Sequence, residues 1–258
     1  MAQETLFLAD LHLREQAPEV TRRLLALEPR LAKAQAVYIL GDLVEAWIGD
    51  DAPIDPDLLP AFALLQRLKD AGVPVFVQHG NRDFLIGPRL ARRFGFRLLP
   101  EEVVVDLYGR PVALVHGDQL CTDDLAYQRL RRRLRHPITR FILQHLPLGL
   151  RRKLAAGLRE RSRKATGHKD AGIMDVNPDT VTTFMQRLGV KVLIHGHTHR
   201  PAIHHEDGRL RAVLGDWEDG AVLLCATADG LRLERIEDAG TTTVLAEATW
   251  PLIPPAGA

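Results

Sequence analysis

Five short clusters of side chains that bind divalent cations each follow an apolar run of the kind that forms a buried strand. They are Asp10-Leu-His12, Gly41-Asp42, Gly80-Asn-Arg-Asp83, His116-Gly117 and Gly196-His-Thr-His199. One such cluster is unremarkable in a turn. Five in succession constrain the fold, because ligands can share a cation only if all five strand ends meet in space. The chain must then form one unit from Asp10 to His199, with its site at the carboxyl ends of strands, where ligands collect in open α/β sheets. Its 258 residues, 46% of them hydrophobic, suffice for one large core.

The pattern between the clusters supports this. Residues 5–9, 37–40 and 73–77 read as strands, separated by helical spacing over 19–34 (Leu24, Leu27, Leu31) and a helix at about 57–71. This alternation predicts a parallel sheet with crossover helices. A short helix at 87–94 follows, then strands near 102–107 and 111–115 with a turn at Gly109-Arg110. Residues 122–165 read as helices only, punctuated by Pro137 and Pro147. The sheet signal returns with a helix at 178–188, a strand at 190–194 and strands near 201–206, 210–215, 220–226 and 230–236. The expectation is an α/β domain over 1–240 in two β-rich halves, a helical insertion at 122–170, and a C-terminal tail at 241–258. Cys121 and Cys225 suggest no disulfide framework. No signal peptide is read at the start, and no run is apolar for long enough to span a membrane.

Asp10 and His12, and likewise His197 and His199, are two residues apart, which on extended backbone places both on one side. Asp42 could bridge two ions through its two oxygens, Asn81 offers an amide oxygen, and His116 ends a strand. Carboxylate, imidazole and amide without thiolate favour Mn²⁺, Mg²⁺, Fe or Zn²⁺ over a sulfur-rich structural zinc site. Two such ions can activate water and neutralise a phosphoryl oxygen.

Residues 129–164 hold thirteen Arg and Lys against one acid, Glu160, so the rest of the chain is net acidic. Leucines and isoleucines are interleaved with them. Basic amphipathic helices read as binders of an anionic membrane surface. With Phe141 the one aromatic there, the stretch suits acyl chains better than stacked bases, and no nucleic-acid partner is expected.

The clusters, in this order, resemble the calcineurin-like metallophosphoesterase family. Thr5-Leu-Phe-Leu-Ala-Asp-Leu-His-Leu13, Tyr38-Ile-Leu-Gly-Asp-Leu43, Glu45-Ala-Trp-Ile-Gly-Asp-Asp51, His79-Gly-Asn-Arg-Asp-Phe-Leu85, His116-Gly-Asp-Gln-Leu-Cys-Thr-Asp-Asp124, Ile173-Met-Asp-Val-Asn177 and Leu193-Ile-His-Gly-His-Thr-His-Arg-Pro201 carry the resemblance. They are similar to the branch that hydrolyses the pyrophosphate of UDP-2,3-diacylglucosamine in lipid A biosynthesis. The resemblance implies a four-layered αββα sandwich and two Mn²⁺ per chain. One ion would be held by Asp10, His12, Asp42 and His199, the other by Asp42, Asn81, His116 and His197. It implies catalytic roles for Asp42, Asn81 and Arg82. Substrate contacts would fall on Asn81, Arg82, Asp124, Tyr127, Ser162, Thr166, Lys169 and His197, with His195 a further candidate near the headgroup. It also implies a peripheral protein on the cytoplasmic face of the inner membrane, with no obligate protein partner.

Two positions distinguish this chain. Many family members carry His directly after Gly-Asn as a proton donor, where this chain has Arg82. Arginine is no general acid at neutral pH, but its planar fork can clamp a phosphate. A phosphomonoester leaving group is a weak base and needs little protonation. Position 166 is usually Asn in this branch and is Thr here, a shorter reach for a polar headgroup. The rival readings are a soluble phosphoesterase acting on nucleotides and a non-catalytic scaffold of the same fold.

Overall fold

The computed structural model describes residues 3–166 and 175–251, with backbone alone for 162–166. In chain order the elements are β1 (Thr5–Leu8), α1 (Pro18–Ala26), α2 (Glu28–Leu31), β2 (Ala36–Leu40), α3 (Leu59–Asp70), β3 (Val75–Gln78), α4 (Pro88–Phe94), β4 (Arg97–Leu98), β5 (Glu102–Leu107) and β6 (Arg110–Val115). Then come α5 (Leu125–Arg135), α6 (Pro137–His145), α7 (Leu148–Thr166), α8 (Pro178–Leu188), β7 (Val192–His195), β8 (Ala202–Glu206), β9 (Arg209–Val213), β10 (Ala221–Ala226), β11 (Gly230–Ile236) and β12 (Thr242–Thr249). One sheet runs β12-β11-β10-β1-β2-β3-β4 and the other β5-β6-β7-β9-β8.

The central strands β1, β2, β7 and β10 read as continuous apolar runs because both their faces are covered. Alternate residues go to different layers. Leu6, Leu8, Val37, Ile39, Val75 and Val77 pack with Leu24, Phe62, Leu65 and Phe94 of the helices over the larger sheet. Phe7, Tyr38 and Leu40 face Val112, Leu114, Val192 and Ile194 between the sheets. Ala113, Val115 and Leu193 meet Val181, Phe184 and Met185 of α8 on the far side. The four layers, helix, sheet, sheet and helix, follow from this period-two division.

Two features place the site. In the larger sheet β1, β2 and β3 are parallel, and in the smaller sheet so are β6, β7 and β9. Their carboxyl ends converge on one edge of the sandwich. There Gln78 spans the sheets, its Nε2 donating to Leu114 O at 3.1 Å. The helices α5–α7 are inserted in the crossover from β6 to β7, so they open directly at that edge.

Several expectations are corrected. The single helical run over 19–34 is two helices, because Pro29 in the first turn of α2 lacks the N–H that would continue α1. The β5–β6 turn lies one residue earlier than read, at Tyr108-Gly109, both with positive φ as a two-residue hairpin needs. The two-residue β4 was not foreseen. Residues 242–249 are no tail. They form β12, paired antiparallel along β11 with a bulge at Leu233/Glu234, so the unit does not end at 240. Trp250 then closes the core between the sheets, donating from Nε1 to Thr227 O at 2.8 Å. The inserted helices α5, α6 and α7 follow one another with no strand between them, Pro137 opening α6 and Pro147 preceding α7.

Trp250→Ala should cost about 3–5 kcal/mol, the range for deleting a buried large aromatic, measured by urea unfolding. Truncation after Gly240 should do worse, leaving β11 as an unprotected edge that self-associates on size exclusion.

Candidate metal centre

The six parallel strands each deliver a polar residue just past the end. Asp10, Asp42 and Asn81 follow β1, β2 and β3, while His116, His197 and Asp216 follow β6, β7 and β9. The backbone turns sharply to present them. Asp10 (φ 54°), His12 (48°), Asp42 (51°), His197 (71°) and His199 (55°) all sit in the left-handed region. Each such residue costs about 1–3 kcal/mol of strain and persists only where its surroundings over-determine it. The pairs two residues apart therefore share a side through left-handed turns and not, as expected, through extended backbone. The turns are held by Asp10 N–H donating to Gly41 O (3.1 Å), His12 N–H to Asp42 O (2.9 Å) and His197 N–H to Asp10 Oδ2 (2.8 Å).

Space is the second constraint. A Cβ on Gly80 would collide with the Asp42 carboxylate, and one on Gly196 with Asp10. Gly41, at φ 91°, would meet His116 Nδ1. Loops this close leave room for a small ion and little else.

The donor atoms fit a cation. His12 Nε2 and His199 Nε2 face each other at 3.4 Å. Behind them, His12 Nδ1 lies 3.1 Å from Glu45 Oε2, and His199 Nδ1 lies 3.1 Å from Asp216 Oδ2. A carboxylate beside Nδ1 favours the ring proton there and leaves Nε2 to ligate a cation. The two Nε2 atoms oppose each other beside Asp10 Oδ1, which is buried and lies 3.5 Å from His199 Nε2. The second half repeats the pattern. His116 Nδ1 donates to Leu40 O at 2.9 Å, leaving Nε2 to face Asn81 Oδ1 at 3.0 Å. Acceptors brought this close in a buried site need positive charge, whether a bound cation or protons on the rings.

Asp42 links the halves. Its Oδ2 lies 3.7 Å from His12 Nε2 and 3.8 Å from His116 Nε2. Its Oδ1 accepts from Arg82 N–H at 2.8 Å. Oδ2 is thus the Asp42 oxygen within reach of both histidines, while Oδ1 is held by the Arg82 N–H. Asp10, His12 and His199 form one group of potential ligands, and Asp10, Asp42 and His116 another. His197 stands beside the second group, its ring crossing that of His116 edge-on at 5.0 Å between centroids. Burial, with His116 nearby, lowers His197 to about 4, so it is a neutral imidazole ready to ligate. Burial opposes charge on His199, but hydrogen bonds to Asp10 and Asp216 outweigh it and raise its pKa to about 10. In the metal-free cluster a proton there partly offsets the carboxylates.

Arg82 has its N–H committed to Asp42, its Nη1 3.8 Å from Glu45 Oε1, and a buried Nε with no partner. Its neighbour is no surface partner, since Asp83 is fully buried and accepts from Gly80 N–H (2.7 Å) and Leu43 N–H (2.8 Å), tying two ligand loops together. Burial and the nearby Asp42 charge push its carboxyl upward. His195 is a core histidine, 0% exposed, with Nδ1 at Gly196 O and Nε2 towards Arg211. Asp124 caps α5, accepting from Tyr127 N–H at 3.0 Å, and the Tyr127 ring stacks on His197. The side chains of Ser162 and Thr166, and Lys169 altogether, lie outside the described residues.

Glu45 and Asp216 were not singled out by sequence, and Asp83, read as the end of a cation-binding cluster, instead ties two ligand loops together. Asp216 could have been, because Gly215-Asp216 after β9 repeats Gly41-Asp42 after β2. Not all the basic residues of the insertion face outward, either. Arg151, 5% exposed, pairs with Asp51 and donates to Ile48 O, and Arg131 and Arg135 grip Asp118 and Glu101.

Glu45→Gln and Asp216→Asn should each weaken Mn²⁺ affinity by about tenfold to a hundredfold, the usual cost of losing a partner behind a liganding His, in calorimetric titrations of folded protein. Gly80→Ala should do so at least as strongly by displacing Asp42.

Residues 4–201 match the family model described as calcineurin-like phosphoesterase. A UDP-2,3-diacylglucosamine hydrolase of Edwardsiella ictaluri is 48% identical over 89% of this chain and 90% of its own. One from Pseudomonas paraeruginosa is 50% identical over 88% and 96%. Among solved structures, Vacuolar Protein Sorting 29 from Cryptosporidium parvum superposes with a TM-score of 0.52 at 18% identity, covering 96% of this chain and 98% of its own. GAP50 of Plasmodium gives 0.51 at 9% identity, covering 98% and 90%. At such identities these two speak to the fold alone.

Proposed function

The chain belongs to the calcineurin-like phosphoesterase family and is a metal-dependent hydrolase; we propose that it cleaves the pyrophosphate bond of UDP-2,3-diacylglucosamine, giving UMP and 2,3-diacylglucosamine 1-phosphate in lipid A biosynthesis. The observation that carries this is near-half identity to proteins of that name over about nine-tenths of both chains.

In this reading two Mn²⁺ occupy the centre. Asp10, His12, Asp42 and His199 hold one, and Asp42, Asn81, His116 and His197 hold the other. When bound they supply Lewis acidity, acidifying a water and neutralising phosphoryl charge. The chain's own residues do the rest. Asp42 fixes the spacing of the two ligand sets and, through the Arg82 N–H, the place of Arg82 beside them. The unpartnered Arg82 Nε–H is available to a phosphoryl oxygen, where a fixed donor stabilises equatorial charge as it develops. No side chain need protonate the leaving group, since a phosphomonoester departs as a weak base. Asp124, Tyr127, Ser162, Thr166 and Lys169 belong to the substrate contacts.

The insertion supports a lipid substrate. Leu125, Leu130, Ile138, Phe141, Ile142, Leu150 and Leu154 are exposed on it, among exposed Arg129, Arg132, Arg133, Arg152 and Lys153. No helix among the described residues is long and apolar enough to cross a membrane. An apolar face ringed by cations suits peripheral attachment to an anionic leaflet, here the cytoplasmic face of the inner membrane.

Turnover of UDP-2,3-diacylglucosamine with Mn²⁺ in water carrying the heavy oxygen isotope should place label in UMP, and a chelator should abolish it. Bound Mn²⁺ without turnover overturns the substrate. Asn81→Ala and His116→Ala should lose Mn²⁺-dependent turnover. Arg82→Ala should lower kcat by about a hundredfold to a thousandfold, as for a lost oxyanion donor, and Arg82→Lys should recover little because an ammonium lacks the planar fork.

A further inference from the structure

Asp118 is 0% exposed and stands two residues after His116, in a short turn over Asp118–Leu120. It is neither a candidate metal ligand nor a substrate contact, yet it is among the most connected side chains near the centre. Its Oδ2 accepts from Tyr127 Oη at 2.9 Å and Arg131 Nε at 2.7 Å, with Arg135 Nη2 at 3.5 Å. Its carbonyl accepts from Gln128 Nε2 at 2.8 Å. All four partners are on α5, the first helix of the insertion.

The same partners reach the ligand loops. Tyr127 stacks on His197 with 6.0 Å between centroids and 27° between planes. Arg135 Nη2 donates to Gly80 O at 2.9 Å, the carbonyl directly before Asn81. Glu101, at the start of the smaller sheet, completes the grip by accepting from Arg131 Nη2 (2.8 Å) and Arg135 Nη1 (2.7 Å). One buried carboxylate thus joins three ligand-bearing segments, those of His116, of Asn81 and of His197, through a single helix. A buried charge is tolerable only when paired. Two guanidiniums pair with Oδ2, both also reach Glu101, and Arg135 alone continues to the Asn81 loop, while Oδ1 is buried with no hydrogen-bond partner among the described residues.

We propose that Asp118 is a positioning residue, coupling the helical insertion to the second ligand set so that α5 must be docked for Asn81 and His197 to hold their places. The inference rests on the reading of Asn81, His116 and His197 as ligands. Its consequence is directional. Loosening α5 weakens the half of the centre built on Asn81, His116 and His197, and leaves the half built on Asp10, His12 and His199 intact.

The test uses full-length Asp118→Asn, Arg135→Gln and Tyr127→Phe. Mn²⁺ binding is followed by electron paramagnetic resonance of the free ion, and amide hydrogen exchange is followed in the metal-free proteins. Asp118→Asn and Arg135→Gln should each lower affinity for one of two Mn²⁺ by about tenfold or more. Exchange should quicken at residues 80–83 and 197, and not at residues 10–13. At saturating Mn²⁺, kcat should still fall. Tyr127→Phe should add little to Asp118→Asn, as expected of members of one network. Wild-type Mn²⁺ affinity and exchange in Arg135→Gln overturn the proposal whatever Asp118→Asn does, and so does equal weakening of both ions. If the wild type binds two Mn²⁺ but does not hydrolyse UDP-2,3-diacylglucosamine, the substrate reading fails while the binding and exchange comparison still decides the role of Asp118.

Discussion

Two imidazole nitrogens face each other at 3.4 Å, backed by carboxylates and beside the buried Asp10 carboxylate, an arrangement built to hold positive charge. Only positive charge between them makes it stable. Much of the surrounding structure follows from holding it together. Five residues accept left-handed backbone, glycines stand where no Cβ would fit, and Glu45, Asp216 and the Leu40 carbonyl fix the imidazole tautomers. The sandwich supplies the rigidity, because six parallel strands from two sheets end at the same edge and each is packed on both faces.

The same edge explains the placement of the insertion. It enters between β6 and β7, the strands bearing His116 and His197, so helices that reach outward are rooted at the ligands. Its cations divide into two populations. Arg131, Arg135 and Arg151 are drawn inward to Asp118, Glu101 and Asp51, where they are paired at short range. Others remain at the surface among exposed leucines, isoleucines and a phenylalanine, screened by solvent and available to an anionic surface. Net charge alone does not separate the anchors from the surface.

Much of this was legible from the chain. Period-two division of apolar residues marked the buried strands, and liganding residues directly after them marked the edge. Prolines marked the breaks at Pro137 and Pro147. The signal failed where it was locally weak or where partners were remote. β12 has one strand neighbour and a mostly exposed face, so Thr, Ala and Glu suffice there and no apolar run announces it. Pro29 split a run whose leucine spacing is otherwise helical. Asp83 was read with the cation-binding clusters, because nothing local reveals that it sinks between two loops to accept from Gly80 and Leu43.

What the sequence by itself determined was the inventory and order of the chemistry: carboxylates, imidazoles and an amide after strands, an arginine where relatives place a proton donor, and a basic apolar insertion. These are properties of residue type and short-range spacing, and they survive without coordinates. What only the tertiary structure decided was which atoms face which. That Asp42 presents one oxygen to both halves, that Glu45 and Asp216 stand behind His12 and His199, and that Asp118 gathers α5 onto three ligand segments all depend on contacts between residues far apart in the chain. Such contacts are set by how the two sheets pack and where the backbone turns left-handed, and short-range spacing does not encode either.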